Sequence, residues 1–384
     1  MSIWTALRRK SGSRLRGRLP ALLLGTLLAG CMPRQEDPQT LLREACAWLW
    51  AQQAEDGGWH SQTHGILRGG QALTPFVLYA LMQADDLHAP PPGRPEAGLA
   101  FLRSRISPEG VLGTAQPRVL EYPNYATSYA LRVLLLAGDP QDSARIRQMA
   151  AYLKGQQMQA QRGIAPASPA FGGWGFGETN LQPGMSGHVD LSHTRKALQA
   201  LAAAGALDSA ARADAALFLR RCQLAGAQPG CVDGGFIFSP AVPGVNKGGF
   251  RSDCGDTLLF RTYATASCEG LLALRAAGFD SESPEIQAVQ NWLARHPDWG
   301  RPGGIDPDDP AQWHRTLWIY YLWVRSEACG SADPGWPQAM LEQLLRFRQP
   351  DGSFFNPEGA RNKENDPLIA TSMAVQMLAR SLQP

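Results

Sequence analysis

A glycine-rich turn followed by an apolar helix headed by threonine recurs six times along this 384-residue chain. The threonines are Thr74, Thr127, Thr194, Thr265, Thr316 and Thr371, spaced 53, 67, 71, 51 and 55 residues apart. Upstream turns include Asp56-Gly57-Gly58-Trp59, Phe171-Gly172-Gly173-Trp174, Asp233-Gly234-Gly235-Phe236 and Asp351-Gly352-Ser353-Phe354. A period of this size identifies a repeat architecture, in which each unit buries its apolar face only against its neighbours. Each unit reads as a helix pair, with first helices predicted over 39–53, 94–105, 142–158, 209–223, 283–296 and 336–349. Second helices are predicted over 72–84, 124–137, 191–204, 261–277, 311–325 and 368–381, with Leu198, Leu201 and Ala202 at helical spacing in the third. The repeated threonine suits a helix start, where its hydroxyl accepts a free backbone N–H. Six pairs closing on themselves form an all-α (α/α)6 toroid over residues 38–384, second helices inside and first helices outside. The inner helix starts then ring one mouth of a central cavity, and their partial positive charge suits anions or developing negative charge.

The first thirty residues read as a leader outside that domain. Arg8, Arg9, Lys10, Arg14, Arg16 and Arg18 form a basic segment, followed by a short apolar stretch from Pro20 to Ala29. The stretch is too short to span a bilayer, so a signal peptide is expected. It ends Leu27-Leu28-Ala29-Gly30-Cys31, which resembles a bacterial lipobox. That resemblance implies lipidation at Cys31, a tether over 31–37, and a membrane anchor. Met32 after the Cys implies outer-membrane sorting, facing the periplasm. Of the 36 Lys and Arg, six leave with the leader, so 30 face 34 Asp and Glu in the mature chain. That acidic balance excludes nucleic acid as a partner.

Two turns depart from the period. Residues 159–190 and 224–260 are long, rich in Gly and Pro, and of the length that functional lids and mouths adopt. The second carries Asp233–Pro240, then Asn246-Lys247-Gly248-Gly249, then Asp253-Cys254-Gly255-Asp256. Six cysteines besides Cys31 permit disulfides in an exported chain, with Cys222–Cys231 and Cys254–Cys268 as pairings that would pin this region; buried free thiols are the alternative.

The Gln-rich helix end before Asp-Gly-Gly-Trp, as in Gln52/Gln53 to Trp59, Gln156/Gln157 to Trp174 and Gln349 to Phe354, resembles the repeat of triterpene cyclases and protein prenyltransferase β-subunits. The segments Asp233–Pro240, Arg261–Thr265 and Glu364–Ser372 resemble bacterial, often exported, proteins with prenyltransferase/squalene-cyclase repeats. The resemblance implies a terpenoid-cyclase-like toroid in which the Gln and Trp are structural. Squalene–hopene cyclases carry Asp-x-Asp-Asp-Thr at an inner-helix start, where a strong acid protonates an alkene. Asp306-Pro307-Asp308-Asp309 matches the letters, but Asp309 lies seven residues before Thr316, in the preceding turn. The stretch nearest in context is Asp190-Leu191-Ser192-His193-Thr194, with Ser and His in place of the two final acids. The zinc set of prenyltransferases lacks a His at a matching position beside Asp253 and Cys254, so neither metal nor cofactor is expected.

Aligning the inner helices on their threonines brings Tyr125, His193, Tyr263, His314 and Arg315 to one mouth, with Asp190, Arg261, Glu364 and Asp366 close by. Two histidines near carboxylates suit general acid–base work near neutral pH. Asp190, His193, Tyr263, His314, Asp308, Asp309, Glu364 and Asp366 are therefore the catalytic candidates. Tyr125, Trp174, Phe236, Phe238, Arg261, Trp313 and Arg315 are the binding candidates. Three functions follow as expectations. The first is an exported lipoprotein binding or transforming an isoprenoid or other apolar lipid. The second is a non-catalytic envelope scaffold. The third is a carbohydrate-active toroid, with Glu364/Asp366 facing Asp253/Asp256 across a groove.

Overall fold

The computed structural model describes residues 36–84, 89–115, 119–224, 231–251, 259–330 and 333–383. Cys31, Asp253, Cys254 and Asp256, and with them the lipidation site and one side of the glycan pairing, lie outside the described residues. Residues Asp37–Pro384 form one compact unit.

Six helices form a closed inner ring: α2 (Leu73–Met82), α4 (Pro123–Ala137), α6 (Leu191–Ala203), α8 (Ala264–Ala277), α11 (Trp318–Cys329) and α13 (Pro367–Ser381). Each packs on the next, and α13 packs back on α2. The outer helices are α1 (Pro38–Ala51), α3 (Arg94–Arg105), α5 (Ser143–Gly155), α7 (Ser209–Cys222), α9 (Pro284–Ala294) and α12 (Trp336–Leu344). Helix α1 packs on α13, so the first outer helix clasps the ring where it closes. The difference in burial follows from composition. Helix α13 buries every residue from Leu368 to Ala379, whereas α5 buries only Met149, Ala150 and Leu153. A helix apolar or small on all sides belongs inside, and one with a single apolar stripe lies on the surface. This is the α/α toroid that the repeat predicts.

The repeat motif has a physical basis that recurs unit by unit. The Trp59 and Trp174 backbone N–H groups donate to Thr74 Oγ1 and Thr194 Oγ1, both at 3.0 Å. Their indole N–H groups donate to Leu49 O and Leu153 O, both at 2.7 Å. The amides of Gln53, Gln157 and Gln223 each bridge the turn carbonyl (Gly57, Gly172, Gly234) to a carbonyl near or in the next outer helix (Arg94, Ala211, Glu285). The turn glycines Gly57, Gly172 and Gly234 have φ of 88–90°. A Cβ at Gly172 would stand 1.8 Å from Asp214 O, so close approach as well as backbone hand demands glycine there.

Two of the six threonines do not hold the repeat position. In the fourth unit the Phe236 N–H donates to Ser267 Oγ (3.0 Å), two residues beyond Thr265. In the fifth, Thr316 ends the single-turn helix α10 (Trp313–Thr316), and the inner helix begins only at Trp318. Gln312, in the left-handed region, separates α10 from the preceding turn, and the non-helical Leu317 separates it from the inner helix. Glu364, 45 residues away, supplies the cap, accepting from Ile319 N (3.0 Å) and Tyr320 N (2.9 Å). Cys222 and Cys231 are free, buried thiols rather than a disulfide. The thiol of Cys268 hydrogen-bonds that of Cys329, joining α8 to α11. Among the described residues no helix is long and apolar enough to cross a membrane.

Candidate functional site

The inner helix starts surround a cavity of about 250 Å³. Ala72, Leu73 and Phe76 of the α2 region, Tyr125 of α4, and Ile369 and Met373 of α13 give it aliphatic and aromatic walls. Tyr122, Phe176, Phe238, Tyr263 and Tyr320 complete the aromatic lining. Polar groups are few: His188, Asp190, Ser192, His193, Lys247, Thr265, Asn362 and Lys363.

Three of these form one constellation, and local folding explains it. Strand β1 (Trp174–Gly175) pairs antiparallel with β2 (Val189–Asp190), stitching the third turn to the start of α6. His188 and Asp190 are two apart along an extended segment, so their side chains share a face. Asp190 then caps α6, accepting from the His193 backbone N–H at 2.9 Å. The His193 ring turns back, placing Nδ1 2.9 Å from Asp190 Oδ2, and His188 Nε2 lies 3.1 Å from the same oxygen. Phe176 stacks on His188 with centroids 3.9 Å apart, and also flanks His193 at 4.8 Å. Burial works to raise the Asp190 carboxyl, but the charges and hydrogen bonds of His193 and His188 outweigh it. They hold the group well below the usual carboxylate range.

The consequence is chemical. Asp190 remains a carboxylate and cannot deliver a proton to an isolated alkene. The carboxylate engages His193 through Nδ1, which leaves Nε2 as the ring position open to a ligand. The cavity therefore suits proton exchange with an oxygen or nitrogen function on its ligand.

Deeper in the ring, Tyr320 donates to Glu269 Oε1 and shares a 3.0 Å hydrogen bond with Ser192. Glu269 Oε2 stands 2.6 Å from Arg195 Nε, and Arg195 Nη1 is 3.2 Å from Glu327 Oε2. Thr265, freed from the repeat position by Ser267, lines the cavity with a buried Oγ1 that has no hydrogen-bond partner among the described residues.

The sequence candidates separate into two groups. Asp190, His193, Tyr125, Tyr263 and Phe238 line the cavity. The others do not. Trp174 and Phe236 are fully buried packing residues, and Phe236 occupies the space a side chain at Gly270 would need. Asp308 is exposed, while Asp309 caps the turn by accepting from Ala311 N at 2.6 Å. Glu364 caps α11, and Asp366 caps α13 through Leu368 N (2.9 Å) while also accepting from Ser61. Trp313, His314 and Arg315 sit on α10, displaced from the ring, and Arg315 pairs with Glu358 (3.3 Å) near the surface. Arg261 follows β4 (Leu259–Phe260), with its N–H bonded to Gly249 O (2.9 Å).

Reading the sequence by period missed His188, Tyr122, Phe176 and Lys363. The alternation His188-Val189-Asp190 was the available signal for the first. Tyr122 and Lys363 carried no such signal; what marks them is structural, a positive φ (47° and 63°) in residues other than glycine. Among the described residues no cluster of three or more His, Cys, Asp or Glu could hold a metal ion.

No family model matches the chain, and no curated protein matches it. Solved structures do. The type II terpene cyclase MstE from Scytonema, in a variant bound to its substrate geranylgeranyl dihydroxybenzoate, aligns with a TM-score of 0.53 and 16% identity, covering 90% of this chain and 97% of that one. Its ligand-free form aligns at 0.52 with 17% identity, over 89% and 97%. An inactive variant of the α-1,6-mannanase GH76A of Salegentibacter, bound to α-1,6-mannotriose, aligns at 0.52 with 10% identity, over 90% and 99%. At these identities the likeness establishes the fold, a terpenoid-cyclase-like α/α toroid. Its sharing by a terpene cyclase and a mannanase means that activity must be argued from the cavity.

Proposed function

We propose that the chain binds an isoprenoid or similarly apolar lipid in the central cavity, with His193 as a general acid–base facing it. The observation that carries this reading is the lining: aromatic and aliphatic side chains, with the His188–Asp190–His193 group as the acid–base cluster among the described residues. Ligand sites of this kind are mostly apolar with a few fixed polar groups. The terpene cyclase that shares the fold holds a prenylated benzoate, which is consistent with it. Protonation of an unactivated alkene is not part of the proposal, because Asp190 is held ionised. Lipidation at Cys31 would anchor the protein to a membrane and bring the cavity to such a ligand.

The glycan reading receives less support. Asp190 is the only carboxylate among the described cavity-lining residues, whereas glycosidases use a facing pair. A filled centre would have favoured a scaffold; this centre is open.

Extraction of the purified protein under native conditions, followed by mass spectrometry of the organic phase, tests the reading. The expected result is a stoichiometric apolar lipid, lost when the cavity is filled by Ala72→Trp. Recovery of none, with no thermal stabilisation by added C15–C20 isoprenoids, would overturn it.

A further inference from the structure

Among the described residues, two lysines at the cavity have no acidic partner within salt-bridge distance. Lys247 extends from the second long loop with its Nζ 4.0 Å from the Phe238 ring centroid and 5.6 Å from that of Trp313. Lys363 places its Nζ 5.2 Å from the Tyr122 ring centroid. Among the described residues no carboxylate stands within 4.0 Å of either ammonium, although 14 other charged or His–acid pairs meet that distance. Asp190, the nearest acid at the cavity wall, is engaged by His188 and His193 and acts on Lys247 only at longer range.

Aromatic faces replace part of an ammonium's hydration but satisfy none of its hydrogen bonds. The amine of Lys247 shows the deficit: burial lowers it to about 8, the direction that a nearby anion reverses. Lys363 adds a second, independent sign. Its left-handed backbone (φ 63°) would suit glycine, and Tyr122 beneath it shares that region of conformational space (φ 47°). Two adjoining non-glycine residues held in the left-handed region at a cavity wall are a pointer to binding.

Building on the apolar-cavity reading above, we infer that the ligand is an amphiphile whose anionic head, a carboxylate or phosphate, sits between Lys247 and Lys363 while its apolar tail enters the ring. The lysines supply charge and N–H donors at the mouth, and the tail occupies the region walled by Phe76, Tyr125 and Met373. An ammonium donating to an anion makes the stronger kind of hydrogen bond, so the head would set the orientation of the ligand.

The test is a matched C15 isoprenoid series measured by titration calorimetry on the full chain: the alcohol, the carboxylic acid and the monophosphate. The expected result is that at least one anion binds about tenfold tighter than the alcohol, the effect of one charge-assisted contact. Whichever anion is preferred identifies the head. In Lys247→Gln/Lys363→Gln the advantage should fall to within about twofold, and in Lys247→Arg/Lys363→Arg it should return, which separates lost charge from lost folding. Equal affinity of all three ligands would overturn the anionic head and leave the apolar cavity standing. Binding of none would overturn both.

Discussion

The two ends of the inner ring are both polar, yet they pair charge to different degrees. Below the cavity, Arg195, Glu269 and Gln199 in the bodies of α6 and α8, Arg132 in α4, and Glu327 and Arg380 near the C-terminal ends of α11 and α13 form a network. The network encloses one ring-facing ammonium, Lys196, 5.0 Å from the Tyr129 centroid and 4.2 Å from that of Trp323, whereas at the mouth both lysines are of that kind. Arg195 and Glu269 are wholly buried and 2.6 Å apart, Gln199 donates to Glu327 at 2.8 Å, and Arg380 lies 3.9 Å from Glu327. At the N-terminal mouth the charges of Lys247 and Lys363 face aromatic rings, and the Thr265 hydroxyl has no partner among the described residues. The first arrangement cross-links helices; the second leaves capacity for something outside the chain. The difference teaches where to place function in a ring whose two ends look equally hydrophilic in composition.

The largest expected effect breaks the network. Glu269→Gln removes the carboxylate beside Arg195 and leaves a guanidinium buried with only Glu327 to compensate. Loss of one partner of a buried pair costs about 3–5 kcal/mol, which denaturant unfolding would read directly. Lys247→Gln should do the opposite in kind, changing stability by about 0.5 kcal/mol or less, because the ammonium it removes has no carboxylate to orphan. Equal losses from the two substitutions would erase the distinction between the ends.

A second prediction concerns pH. Burial raises the Glu364 carboxyl from 4.5 to about 7 despite its hydrogen bonds to Asn356, Tyr320 and Ile319. The folded protein therefore holds a proton there that the unfolded chain has released, so stability falls as pH rises from about 4.5 to 7 and is level beyond. Asp190 runs the other way. Its depressed carboxyl contributes stability above about pH 4, lost as pH falls through the folded value. Stability curves of wild type and Glu364→Gln, taken from pH 4.5 to 7, should differ in slope, with the variant flatter. A variant as steep as wild type would remove Glu364 as the titrating group.

The smallest effect tests the register that separates structural hydroxyls from cavity hydroxyls. Ser267→Ala removes the acceptor of the Phe236 N–H and should cost about 1 kcal/mol. Thr265→Val removes an unpartnered hydroxyl and should change unfolding free energy by about 0.5 kcal/mol or less. Reversed magnitudes would return Thr265 to the repeat position.

The register also shows how far the sequence could be read. Period and Gly-aromatic turns located the helix pairs closely, because each turn is held by bonds within its own unit, such as Trp59 to Thr74 and Leu49. Asp190 and His193 were legible for the same reason, being a cap and a first-turn residue three positions apart. Glu364 was misread as a cavity acid because its partners, Ile319 and Tyr320, are 45 and 44 residues away. His314 and Arg315 were misplaced because Thr316 heads no inner helix.

By itself, then, the sequence determined the helical pairs, their sixfold order and the closed ring, since those follow from local patterning and from each unit's need to bury an apolar face. Only the tertiary structure decided which polar groups reach the cavity. Ser267 rather than Thr265 takes the turn, His188 arrives immediately before a two-residue strand, and Lys363 meets Tyr122 across 241 residues of chain. The physical reason is one of range. Helix formation is governed by neighbours three and four positions apart, whereas a binding mouth is assembled from the loops of six units that touch only after the ring has closed.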